Sequence, residues 1–298
     1  MHLRVAAIND LSGLGRCSLT ADIAVLAAMG IEACPMPTAV LTSQTGYPGY
    51  RCLSFANRMD DYTEHWQELQ VSFAGILSGY LASADAAEKV RAFLERFHRP
   101  GVLYLCDPVL GDNGRAYRGF TEASIEAVRQ LAFQADLLTP NLTEFCILTG
   151  TDMGPIQKLG QTDPEALFPI LEEKAGCFQG CSLVITGIPV LDKNRETPIL
   201  SNFIVKMAGG KSSVVSSPHL GGSYSGTGDL FAAVVLGALL QKRSLEEAVR
   251  LAVGFIARGI GDARRENTPC NDGINYEPYL GLLAPPLPHG SQAERKDT

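Results

Sequence analysis

Two patterns alternate along the chain. Short unbroken apolar runs give way to longer stretches in which apolar residues recur every three or four positions. The first pattern marks buried strands and the second amphipathic helices. Residues 4–8, 73–77, 102–106, 135–138 and 183–186 are the predicted strands. Between them, residues 18–29, 60–71, 84–97, 122–133 and 164–175 are predicted helices, with Gly30 closing the first and Ser83 capping the third. Residues 31–41 form a further strand, which Pro35 and Pro37 confine to an edge or interrupt. Residues 202–207 and 213–217 read as a late antiparallel pair around Gly209-Gly210. Ser244-Leu245-Glu246-Glu247 is a capping box that opens a last helix to about residue 260. Strand and helix in alternation predict an α/β fold of three layers, a mostly parallel central sheet with helices on both faces and right-handed crossovers. With no internal repeat and no linker, residues 1–284 read as a single domain and the polar, proline-containing residues 285–298 as a disordered tail.

The predicted strands end alike, in polar residues. Asn9-Asp10-Leu11-Ser12-Gly13 is read as a turn after the first strand, Ser78-Gly79-Tyr80 follows the next, and Asp107-Pro108-Val109-Leu110-Gly111-Asp112 another. Thr139-Pro140-Asn141-Leu142-Thr143-Glu144 and Thr186-Gly187 complete the series. In a parallel sheet these exits share one edge, where ligands of open α/β sheets bind. Asp107, Asp112, Thr139, Asn141, Glu144, Thr186 and Asp229 therefore converge although they are distant in sequence. Asp107 and Glu144 suit a hard cation such as Mg²⁺, which takes carboxylates, waters and phosphate oxygens. Singly, each acid is better explained as a cap or a solvated charge, and it is their shared position after strands that points to a site.

Gly221 to Phe231 runs from polar, glycine-rich residues into the apolar segment 232–240. Gly226 and Gly228 free the backbone to aim N–H groups at one point, and a helix start supplies unpaired donors for an anion. Asp229 in the first helical turn repels that anion. The conflict is resolved if Asp229 is a general base for a hydroxyl that attacks a phosphoryl group held by the loop.

Composition narrows the classes. Net charge is −7 and no Lys/Arg run occurs, which argues against broad nucleic-acid or anionic-membrane binding. The N-terminal apolar run is too short for a signal peptide, and no segment reaches membrane-spanning length unbroken. Eight scattered cysteines without Cys-x-x-Cys suit reduced thiols in a cytoplasmic protein, and the five histidines show no ligand spacing. Gly13-x-Gly15 is not a dinucleotide fingerprint, because Ser18 stands where the third glycine belongs and no acidic residue ends a second strand.

Thr45-Gly46-Tyr47, Ser78-Gly79-Tyr80, Asp107-Pro108-Val109-Leu110-Gly111-Asp112, Thr139-Pro140-Asn141-Leu142-Thr143-Glu144 and Gly226-Thr227-Gly228-Asp229-Leu230-Phe231 together resemble the ribokinase-like superfamily. Within it the chain resembles the pyridoxal/pyridoxamine kinases most, from Asn9 to about Asp262. The resemblance implies ATP-dependent phosphorylation of the 5′-hydroxymethyl group of a B6 vitamer. Asp229 would be the base, and Gly226, Thr227 and Gly228 the anion hole for the transferring phosphate. Asp107, Thr139 and Glu144 would hold Mg²⁺ and the phosphates, with a monovalent cation as a further ion. Asn141 and Thr186 would lie near the nucleotide, and Asp112 and Tyr117 in a loop over the ATP phosphates. Thr45 and Tyr80 would contact the pyridine ring. The short lid of this branch implies a homodimer. Where the family often carries Ser, this chain has Asp10, suited to a protonated ring nitrogen or an amine, and Ser12 is the alternative for that role. A hydroxymethylpyrimidine kinase and a non-catalytic B6- or nucleotide-binding relative are the competing readings.

Overall fold

The computed structural model describes residues 3–190, 199–206 and 210–285. Its elements run in the order β1 (Arg4–Ser12), α1 (Ser18–Ala28), β2 (Glu32–Leu41), β3 (Cys52–Ser54), α2 (Met59–Glu68), β4 (Gly75–Ser78), α3 (Ala84–Phe97) and β5 (Leu103–Cys106). A small hairpin of β6 (Gly111–Asp112) and β7 (Arg115–Ala116) precedes α4 (Glu122–Ala132) and β8 (Leu137–Leu138). Then come α5 (Leu142–Thr149), α6 (Met153–Thr162), α7 (Pro164–Ala175), β9 (Ser182–Val190), β10 (Ile199–Val205), β11 (Ser213–Pro218), α8 (Thr227–Leu240) and α9 (Leu245–Arg265).

Among the described residues one sheet has the strand order β11-β10-β9-β8-β5-β4-β1-β2-β3. The pairs from β2 through β9 are parallel, and antiparallel pairs flank them at both ends. Alternate residues of each strand face opposite layers. Val5, Leu77, Leu105 and Val184 pack under α1, α8 and α9, while Ile8, Ile76, Tyr104 and Ile185 pack under α2 to α7. The expected α/β architecture with helices on both faces is therefore present.

Three differences from the sequence reading have physical causes. β1 continues through Asn9 and Asp10 to Ser12, where a turn was expected, because buried partners satisfy its polar side chains. β2 is one continuous strand. Glu32 N–H donates to Leu3 O, so the even positions face β1 and Pro35 and Pro37 turn toward the outer edge. Since β3 pairs only with Ala39 to Leu41, that edge is open at both prolines and no ladder bond is lost. Helices α5 and α6 were not expected. Asn141 caps α5 in a capping box with Glu144, a start signal hidden inside what was read as a polar exit. The expected pairing of β10 with β11 is present, but Gly209 of its turn and residues 286–298 of the expected tail lie outside the described residues.

Ser83 accepts the N–H of Ala86 at 3.2 Å and caps α3, whose Phe93 and Phe97 stack at 4.5 Å between ring centroids. Ser83→Ala is expected to lower the unfolding free energy by about 1 kcal/mol, measured as a shift in the urea midpoint at constant slope.

Candidate active site

The carboxyl ends of β1, β4, β5 and β8 and the start of α8 meet at one edge of the sheet. Gly226 makes that meeting possible. It holds φ at 81° at the head of α8, and a Cβ there would lie 2.0 Å from Arg16 O. Only glycine meets both conditions. Beyond it, the N–H groups of Thr227 and Gly228 belong to the first turn, which has no intrahelical acceptors to offer them. Thr227 turns its hydroxyl back to Tyr224 O at 3.1 Å.

Asp229 is fixed from two sides. Its Oδ1 accepts Asn9 Nδ2 at 3.0 Å, and its Oδ2 accepts the N–H of Ser18 at 2.8 Å. Ser18 adopts φ of 54°, a conformation uncommon outside glycine, and so aims its N–H at the carboxylate. Burial pushes Asp229 up to about 6; the bonds from Ser18 and Asn9 pull it down, and the charge of Asp10 pushes it up. Asp10 is itself buried, accepts Ser12 Oγ at 2.8 Å and is raised above the usual carboxylate range by burial. Asp10 and Ser12 thus form one hydrogen-bonded unit rather than alternatives. Tyr80 is next to it in space. Its N–H donates to Asn9 Oδ1 at 2.8 Å, and burial, followed by Tyr50, Cys52 and Asp10, pushes its phenol up to about 12.

A second acidic group stands opposite. Asp107 is buried and accepts Thr139 Oγ1 at 3.0 Å. Burial first and the Asp229 charge second push Asp107 up to about 7. Glu144 is raised well above the carboxylate range by burial and then by Asp107. Its two oxygens accept the N–H groups of Leu110 at 3.2 Å and Asn141 at 2.8 Å. It is therefore the capping partner of α5 as well as an acid at the site. Among the described residues no group of three or more His, Cys, Asp or Glu could hold a metal ion. The donor set still suits Mg²⁺, which binds through one or two carboxylates and otherwise through water and phosphate oxygens. Asp107 raises Glu144 and is itself raised by Asp229, so the buried acids burden one another, and a divalent cation would supply the counter-charge.

The remaining predicted residues frame this cleft. Asn141 spends its side chain on structure, accepting Glu144 N–H at 2.9 Å and donating to Gly111 O at 2.8 Å, and it bridges in parallel to Thr186. Asp112 turns back on Asn113 at the tip of the hairpin. Tyr117 is 42% exposed by area, and its phenol is raised by burial and then by the charges of Glu144, Asp112, Asp107 and Asp229. Thr45 is exposed on its loop and makes no hydrogen bond with the other candidates. That loop is pinned by partners the sequence reading missed. Gln44 Nε2 donates to Asn271 O at 3.1 Å, Asn271 Nδ2 donates to Gly46 O at 2.9 Å, and Tyr47 bonds Asp272. Asn9 was missed as well, because it was assigned to a turn.

Fold and site define a small-molecule kinase of the ribokinase-like class. A family model for phosphomethylpyrimidine kinase matches residues 15–273, and the chain belongs to that family. Relatives include a pyridoxal kinase of Rubrobacter xylanophilus, 28% identical over 85% of each chain. A pyridoxal kinase of Dictyostelium discoideum is 27% identical over 93% of this chain and 92% of its own. Among solved structures, a Bacteroides thetaiotaomicron protein crystallised with pyridoxal matches at TM-score 0.83 and 35% identity, covering 95% of this chain and 96% of that one. Pyridoxal kinase from Lactobacillus plantarum matches at TM-score 0.79 and 28% identity, with the same coverage.

Proposed function

We propose that the protein transfers the γ-phosphoryl group of ATP to the 5′-hydroxymethyl group of a B6 vitamer. The observation that carries this reading is the placement of Asp229. A carboxylate with a pKa near 6 stands one residue beyond a turn of free N–H donors, on the cleft edge where Asp10, Ser12 and Tyr80 gather. In this reading the phosphate of ATP lies on the N–H groups of Gly226, Thr227 and Gly228, and the substrate hydroxyl lies against Asp229. Asp229 takes the hydroxyl proton as the oxygen attacks phosphorus, and the donors of the turn stabilise the charge that develops on the phosphoryl oxygens. Asp107, oriented by Thr139, and Glu144 would hold Mg²⁺, whose charge would draw the phosphates and the two carboxylates together. Tyr117 and Asp112 would cover the phosphates from the hairpin, Asn141 and Thr186 would border the nucleotide, and Asp10, Ser12, Thr45 and Tyr80 the pyridine ring. Residues 1–284 would act as one kinase domain, working in the cytoplasm as a homodimer.

The family description names a second substrate class, the methylpyrimidines, and its unphosphorylated member, hydroxymethylpyrimidine, presents the same primary alcohol on a different ring. Turnover of ATP with Mg²⁺ against pyridoxal, pyridoxine, pyridoxamine and hydroxymethylpyrimidine separates the two. A B6 vitamer is expected to give the highest kcat/KM. As pH falls through about 6, Asp229 gains its proton and can no longer accept one, so activity should drop about tenfold per pH unit below that point. Turnover with the pyrimidine alone would reassign the substrate, and binding of ATP without turnover of any of the four would point to a binding protein.

A further inference from the structure

Asp22 is an anomaly of α1. The helix buries Leu19, Ala21, Val25 and Leu26 against the sheet, and Asp22 is buried among them with no exposed surface. A carboxyl in such a place is costly unless something needs it. One oxygen, Oδ1, has no hydrogen-bond partner among the described residues, and the other, Oδ2, accepts a single bond, from Asn9 Nδ2 at 3.1 Å.

Asn9 in turn has all four of its hydrogen-bonding positions in use. Its Oδ1 accepts the N–H groups of Asp10 at 3.0 Å and Tyr80 at 2.8 Å, and its Nδ2 donates to Asp22 and to Asp229 Oδ1. Gly79 leaves room for it: a Cβ there would lie 2.4 Å from Asn9 Nδ2. The amide therefore ties the strand that carries Asp10, the turn that carries Tyr80 and the helix that carries the base. We propose that Asn9 is the positioning residue of the base and Asp22 its anchor, so that the buried pair fixes where Asp229 sits and sets the pH at which it works. The inference rests on the kinase reading.

The direction of the effect follows from the bond. A donor to the charged form of a carboxylate favours that form, so loss of the Asn9 donor moves Asp229 to higher pH. The groups that face Asp229 are Asp10 on β1, Cys17 and Asp22 at α1, Asp107 after β5 and Tyr117 beyond the hairpin, all of them acids. Asp22 is held well above the usual carboxylate range, so it carries no charge while Asp229 titrates, and replacing it removes a hydrogen-bond partner rather than a repelling charge.

The test uses Asn9→Ala, Asp22→Leu and Asp22→Asn in the full chain, with the wild-type vitamer assay as control. The Asp229 carboxyl is titrated by ¹³C NMR in the free protein, and the acid limb of kcat/KM is followed in parallel. Asn9→Ala is expected to move both midpoints to higher pH and to cut plateau kcat about tenfold or more. Asp22→Leu removes a buried carboxyl at similar volume, so it should fold at least as well as wild type while losing activity and shifting the limb in the same direction. Asp22→Asn still offers an oxygen to Asn9 and should restore both. Unchanged midpoints in Asp22→Leu, or in folded Asn9→Ala, would overturn the inference, as would a loss of melting temperature with no shift of the limb. Failure of the wild type to turn over any substrate would count against the kinase reading instead, and the NMR midpoints would still decide the role of Asn9.

Discussion

Asp229→Asn is expected to lower kcat by about 10²-fold or more while leaving ATP binding intact. The asparagine keeps the shape of the carboxylate and one oxygen, which can accept from Asn9 Nδ2 or from the N–H of Ser18 but not from both, while the donors of Thr227 and Gly228 belong to the backbone and stay in place. What disappears is the capacity to take a proton. The acid limb should vanish with it, because the group that titrates near 6 is gone and only positioning and phosphate stabilisation remain. Steady-state kinetics across pH together with calorimetric titration of ATP checks both halves. Loss of ATP binding along with turnover would make Asp229 a structural part of the loop rather than a base.

Gly226→Ala should be nearly as damaging for a different reason. The added Cβ meets Arg16 O at 2.0 Å, a backbone atom that cannot move without carrying along the start of α1, and the residue must also hold φ of 81°. Strain of this kind costs on the order of 1–3 kcal/mol, and a displacement of about 1 Å in a positioned site costs about 10²-fold in rate. The variant is therefore expected to lose both melting temperature and kcat/KM. Gly228→Ala is the comparison: its Cβ would lie 3.4 Å from Asp107 Oδ2, an ordinary contact, so the fold should tolerate it. Full activity in Gly226→Ala would mean that the turn does not cradle the phosphate.

Most of the architecture was readable because buried strands and amphipathic helices differ in period, and α7 was located residue for residue. The errors cluster where a polar residue serves the interior. Asn9, Asp10 and Ser12 look like a turn when each polar side chain is assigned to solvent, whereas all three are buried in β1 and bonded to one another or to Asp229. A cap is one of the readings open to Glu144 by itself, but the Asn141-to-Glu144 spacing of a capping box is what marks the start of α5. Asn113-Gly114 between β6 and β7 is another overlooked signal: positive φ at both residues suits a tight hairpin turn, the turn such a pair favours. The partners of the Thr45 loop, Asn271 and Asp272, could not be read locally, since more than two hundred residues separate them from it.

Asn9 and Asp229 lie 220 positions apart and share one hydrogen bond. The order of synthesis therefore matters to this enzyme. A chain emerging from the ribosome completes the parallel strands and sets out Asp10, Asp22, Asp107 and Glu144 long before residue 229 appears, and domains assemble as their later segments arrive. Until α8 docks, that sheet edge carries these acids without Asp229 and without the N–H donors of the Gly226 turn. On the proposed reading a single late helix completes the site, because α8 brings both the proposed base and the turn of N–H donors.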